Sequence, residues 1–197
     1  MTNEQFDKLF NQAKELMNKS KDPVHDWRHI ERVLINIEKI LELLPEEKKR
    51  DLDMKILRLA AAWHDISFVF YKSGFRQYFL DHVRGSKIAK QYFEQYGLGI
   101  KEIDLIGDII YHHNLTEFGI LNRKRSLYYQ IVQDADIMDS YNCPERVELA
   151  GEQVKQTPSL WYKFVIKVLK PLFLNWLVNH PKRIYNLPES IKIVKGK

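Results

Sequence analysis

Seven histidines stand in this chain of 197 residues, and six of them lie between residues 25 and 113. Imidazole and carboxylate side chains bind divalent cations and move protons near neutral pH. Four such groups fall where helical periodicity turns side chains inward. His29 sits on the apolar stripe of one helix, and His64 and Asp65 end a nearly all-apolar run. Asp136 lies within Ile131-Val132-Gln133-Asp134-Ala135-Asp136-Ile137-Met138. An unpartnered buried imidazole costs a few kcal/mol and a buried carboxylate more, so groups placed this way need hydrogen bonds or a cation. Two imidazoles and two carboxylates without a thiolate suit a six-coordinate divalent ion (Mn, Fe, Co, Ni or Mg) with open positions for water, rather than a closed structural zinc. The dipeptide His64-Asp65 is weak evidence alone, since His25-Asp26 repeats it; its place at the end of a buried helix gives it weight. Neighbouring side chains can share one ion only where a helix end lets them diverge.

These groups must be positioned by helices. Phe6, Leu9, Phe10, Ala13, Leu16 and Met17 recur at steps of three and four, which predicts an amphipathic helix over residues 3–19. A longer one is expected over 24–44, with His25 at its start and Trp27, Ile30, Val33, Leu34, Ile37, Ile40, Leu41 and Leu44 inward, closed by Pro45. A third, over 51–65, is capped by Asp51 or Asp53 and is apolar enough to be the central buried helix. After a connection at 66–80, helices are predicted over 81–96, 100–113, 126–140 and 145–155, with a last pair from about 158. No repeat or strand pair is evident.

Composition agrees: 45% hydrophobic residues and 29% charged ones suit one globular domain. The one cysteine, Cys143, excludes an internal disulfide, and no apolar run approaches a membrane span, so a cytoplasmic location is expected. Residues 153–197 hold nine Lys or Arg against one acid, Glu189, so this basic segment carries the excess of the +5 net charge. Such a segment is either a solvated helix face or a contact for nucleic acid, phosphate or an anionic surface. Phosphate-binding glycine loops, a Gly-x-Ser-x-Gly elbow and Cys-x-x-Cys pairs are absent from the sequence, which argues against dinucleotide, ATP-switch, serine-hydrolase and zinc-finger functions.

Three motifs in order, His29-Ile30-Glu31-Arg32-Val33, Leu59-Ala60-Ala61-Ala62-Trp63-His64-Asp65-Ile66 and Gln133-Asp134-Ala135-Asp136-Ile137-Met138-Asp139, resemble those of the HD-domain metal-dependent phosphohydrolases. The resemblance spans residues 24–142. It implies an all-α, compact single-domain bundle of about eight helices, with a motif-bearing core over 24–142. It also implies that His29, His64, Asp65 and Asp136 ligate one metal ion, and that His82, His112 and His113 ligate a second ion or meet the substrate phosphate. A small phosphate ester, a nucleotide above all, is the implied substrate. Asp65 would then accept a proton, while His82, His112 or His113 would protonate the leaving oxygen. Lys72, Arg76, Arg84 and Lys87 are candidates to hold phosphate oxygens, each set against a solvated-surface role. Asp139 stands either at the pocket rim or as an acid balancing a lysine, and Phe68-Val69-Phe70-Tyr71 either stacks a base or lids the core. Two other readings stay open: a di-iron oxygenase on the same scaffold, and a metal-stabilised nucleic-acid-binding protein. Oligomeric state is not legible.

Overall fold

The computed structural model describes residues 1–20, 22–72, 75–113, 126–142, 148–149, 152 and 181–196, and every regular element among them is helical. In chain order these are α1 (Asn3–Met17), α2 (Trp27–Leu43), α3 (Glu46–Lys49), α4 (Met54–Trp63), α5 (Ser67–Phe70), α6 (Phe75–Gln95), α7 (Ile100–His112), α8 (Leu127–Asn142), α9 (Pro181–Ile184) and α10 (Pro188–Lys195). The all-α expectation holds, and α3, α5 and α9 are single turns. Most of the expected 145–155 helix and of the pair after 158 lies outside the described residues, as do Cys143, Lys155, Lys163, Lys167 and Lys170. Among the described residues no helix is long and apolar enough to cross a membrane.

Capping chemistry sets most helix starts. The Thr2 hydroxyl accepts from Gln5 N while the Gln5 side chain accepts from Thr2 N, a reciprocal capping box for α1. Asp26 accepts from His29 N at 3.2 Å and caps α2, which therefore begins three residues later than its apolar stripe suggested. Asp53, not Asp51, caps α4 through Lys55 N and Ile56 N. The largest difference from expectation is α6, which starts at Phe75 rather than 81, so the expected connection 66–80 contains α5 and the first turns of α6. Its opening Phe-Arg-Gln-Tyr lacks the apolar spacing that would reveal it. At the other end Gly97 takes φ +70°, and Leu98 N donates to Phe93 O at 3.0 Å. That left-handed cap, which glycine adopts without strain, turns the chain from α6 into α7.

The helix α4 is the hub, touching α1, α2, α7 and α8, while α2 packs along α8 and α6 along α7. Leu57, Leu59, Ala60, Ala61, Ala62 and Trp63 are all fully buried. The alanines let neighbouring helices approach closely, and each large buried apolar side chain contributes about 1.5–3 kcal/mol. Trp63 Nε1 donates to Leu9 O at 3.2 Å, so its one polar atom is satisfied within the core. On the opposite side Asn36 Nδ2 donates to Ala135 O at 3.1 Å, tying α2 to α8 one turn from Asp139.

The C-terminal end is fastened to α8 by Asp134. Its buried carboxylate accepts from Asn186 N at 2.8 Å, Asn186 Nδ2 at 2.9 Å and Leu187 N at 2.9 Å. Burial pushes this carboxyl up to about 7, against the pull of the Asn186 and Leu187 donors. Replacing Asp134 by Ala leaves buried backbone donors without an acceptor, a loss of about 3 kcal/mol. Thermal denaturation of Asp134→Ala should therefore show a midpoint lower by about 6–12 °C. An unchanged midpoint would mean that residues 181–196 are not held in this way.

Candidate metal centre

The helix α4 stops at Trp63, and the chain turns at once, Ile66 N donating to Trp63 O at 3.2 Å and Phe68 N to Asp65 O at 3.0 Å. This unwinding separates the side chains of His64 and Asp65, as sharing one ion requires. The helix α6 passes close to the same turn: a Cβ on Gly85 would lie 3.1 Å from His64 O. A glycine there allows the close approach, since backbone cannot yield as a flexible side chain does.

Three imidazoles are fixed in the same sense. His29 Nδ1 lies 2.7 Å from Asp139 Oδ2, His64 Nδ1 lies 2.7 Å from Ala61 O, and His113 Nδ1 lies 2.5 Å from Ile110 O. All three partners only accept, so each Nδ1 carries the proton and each Nε2 is turned toward the interior of the cluster. There His29 Nε2 is 3.2 Å from His64 Nε2, 3.2 Å from Asp65 Oδ2 and 3.3 Å from Asp136 Oδ1. His64 Nε2 is 3.2 Å from Asp65 Oδ2 and 4.0 Å from Asp136 Oδ1. His29 and His64 are wholly buried, and the Asp136 side chain, 14% exposed, marks the side open to solvent.

This donor set fits a divalent cation. Asp65 Oδ2 is buried without a hydrogen bond although two nitrogens lie 3.2 Å away, because lone pairs converge there rather than donors on acceptors. Among the described residues, His29, His64 and Asp136 form one group of ligand atoms within 4.8 Å of one another, and His64, Asp65 and His113 form a second.

The remaining predicted residues divide. His113 faces the cluster, its Nε2 3.7 Å from Asp65 Oδ1 and 3.5 Å from Asp81 Oδ2. His112, adjacent to it, instead pairs through Nε2 with Asp108 Oδ1 at 3.4 Å and meets the Tyr129 ring edge-on. His82 is half-buried, its ring edge-on to Tyr111 at 5.2 Å, and it belongs to neither metal-compatible group. Asp139 is buried rather than at a rim: it is 2% exposed, and Arg32 Nε donates to its Oδ1 at 2.6 Å while His29 holds Oδ2. His25 is buried and stacks flat on Phe68 at 3.9 Å, which makes Phe68 part of the core wall. Lys72, Arg76 and Lys87 are exposed, and Arg84 is half-buried.

Two residues were not found from the sequence. Asp81 is 5% exposed and pairs with His113. Arg32 braces Asp139. The spacing of Asp81, Gly85 and Ala89 at four-residue steps was the available signal for the inward face of α6.

Fold and site together define an all-helical protein with a candidate divalent-metal centre. The family model of the HD domain matches residues 26–141, more than half of the chain. The chain belongs to the HD domain family, which places it in a superfamily of metal-dependent phosphohydrolases. No curated protein and no solved structure matches it.

Burial would lower the His113 pKa, but hydrogen bonding to Asp81 and the charges of Asp81, Asp65 and Asp136 raise it from 6.5 to about 9. A pKa raised on folding contributes stability that is complete below the unfolded value and lost as pH rises through the folded one. Chelator-treated protein should therefore lose stability between pH 6.5 and about 9, as read by urea unfolding at a series of pH values. His113→Gln should flatten that slope; a slope that survives the substitution would remove His113 as its source.

Proposed function

We propose that this protein is a metal-dependent phosphohydrolase that cleaves a small phosphate ester, with nucleotides the favoured class. The approach of Asp65 Oδ2 and Asp136 Oδ1 to the facing Nε2 atoms of His29 and His64 carries the reading. A divalent ion in that position supplies Lewis acidity toward a phosphoryl oxygen and a water acidified toward neutrality. The chain's own residues do the rest. Asp139, clamped by Arg32, holds the His29 ring in the orientation that presents Nε2. Hydrolysis forms a P–O bond from water and breaks the ester P–O bond. The water's proton passes to the Asp65 carboxylate, and the leaving oxygen takes one from His113 Nε2. Asp65 Oδ1 and His113 Nε2 are 3.7 Å apart, so one pair handles both proton movements. In this assignment His113 takes the acid role that the sequence left open among His82, His112 and His113. Phe70 and Tyr71, 50% and 42% exposed just beyond the His64–Asp65 turn, offer ring faces for a base.

A second reading rests on Asp81 Oδ1, which is buried without a hydrogen bond beside His113. Asp65, Asp81 and His113 would then hold a second divalent ion, which would supply further positive charge for the phosphoryl oxygens. Metal content separates the two, as one ion or two per chain, while iron with oxygen consumption would favour the oxygenase chemistry.

Purified protein assayed against phosphate esters with Mn²⁺, Co²⁺, Ni²⁺ or Mg²⁺ should release phosphate or cleave a phosphoanhydride. Asp65→Ala should abolish turnover with far-ultraviolet circular dichroism unchanged, and Asp139→Asn should weaken metal binding by about 10–100-fold. Full turnover by Asp65→Ala would remove the mechanism.

A further inference from the structure

Four cations, Lys72, Arg76, Arg84 and Lys87, lie on the segment that follows the His64–Asp65 turn, and only Arg84 is built into the structure. Its Nη1 donates to Gln77 Oε1 at 2.5 Å, and its Cζ stands 4.1 Å from the centre of the Tyr71 ring. Gln77 is itself 2% exposed, and its Nε2 donates to Ser67 Oγ at 2.5 Å, two residues beyond Asp65. The guanidinium is thus oriented by a buried amide on one edge and an aromatic ring on one face. Among the described residues no carboxylate pairs with it, and its Nε and Nη2 have no acceptor.

A half-buried guanidinium held in place without a counter-anion is costly, and its open N–H fork matches the oxygens of a phosphate. Its position specifies which phosphate. Arg84 reaches back along α6 to Gln77, whose amide bonds Ser67 two residues beyond Asp65, so the guanidinium stands on the flank of the turn that carries His64 and Asp65. A cation on that flank suits a phosphate adjoining the one under attack rather than the one held at the cluster. A substrate with one phosphate would leave the guanidinium unpaired.

We infer that Arg84, backed by Tyr71 and oriented by Gln77, binds a second phosphate of the substrate, so that the site selects diphosphates and triphosphates over monophosphates. The inference rests on the phosphohydrolase reading for its consequence in turnover, but the binding it describes is measurable without turnover. Calorimetry on the full chain with Mg²⁺ would compare inorganic pyrophosphate with orthophosphate. Wild-type protein should bind pyrophosphate at least about tenfold more tightly, a difference of one charge-assisted hydrogen bond or more. Arg84→Ala should erase that preference while leaving orthophosphate within about twofold, and Arg84→Lys, which keeps the charge and loses the fork, should retain only part of it. Gln77→Glu, which hands Arg84 a carboxylate, should weaken pyrophosphate in the same direction, and it serves where Arg84→Ala does not fold. Equal weakening of both anions, or no discrimination by the wild type, would overturn the inference. Arg84-dependent pyrophosphate binding without hydrolysis of any ester would overturn the functional reading and leave this one standing.

Discussion

The structure depends on one commitment: His29, His64 and His113 each give the Nδ1 proton to an acceptor that can do nothing but accept. Once Nδ1 is engaged, a neutral imidazole has only a lone pair at Nε2. Two of these lone pairs then face each other at 3.2 Å, with the oxygens of Asp65 and Asp136 beside them. Buried negative charge and lone pairs gathered in this way repel unless positive charge stands among them. That requirement links the fold to the function, because every helix near the site is arranged to produce it.

The arrangement follows from where helices start and stop. Asp26 caps α2 through the amide of His29, which sets the phase that turns the imidazole toward α4 and α8. The helix α4 runs as an alanine-rich cylinder through the centre and ends just before His64 and Asp65. Gly85 lets α6 lie against that end closely enough to bring Asp81 to His113. Further along α8, Asp134 binds the C-terminal segment and Asp139 orients His29, so one helix carries two buried carboxylates with separate structural roles on either side of Asp136.

Apolar periodicity was enough to expose α1, α2, α4, α7 and α8, because each buries a stripe against the core, and the same stripes located His29, His64, Asp65 and Asp136. Periodicity is a poor guide at helix ends. His112 and His113 differ by one residue, which on a helix is about 100° of rotation, and choosing between them requires knowing how α7 docks. The start of α6 was missed for a related reason: its opening residues show no apolar stripe in the sequence, and Gln77 meets Ser67 of α5. Pairings distant in the chain, such as Arg32 with Asp139 and Asp134 with Asn186, leave no mark in local sequence. A charged residue four positions from a small one, as in Asp81 and Gly85, acquires meaning only when the neighbouring helix is in place.

The most direct measurement is anomalous diffraction from crystals of the protein loaded with Mn²⁺. The account predicts an ion bonded at about 2.0–2.3 Å to His29 Nε2, His64 Nε2, Asp65 and Asp136, with part of its shell left to solvent. Manganese density found only elsewhere on the chain, with the two Nε2 atoms still facing each other, would contradict it.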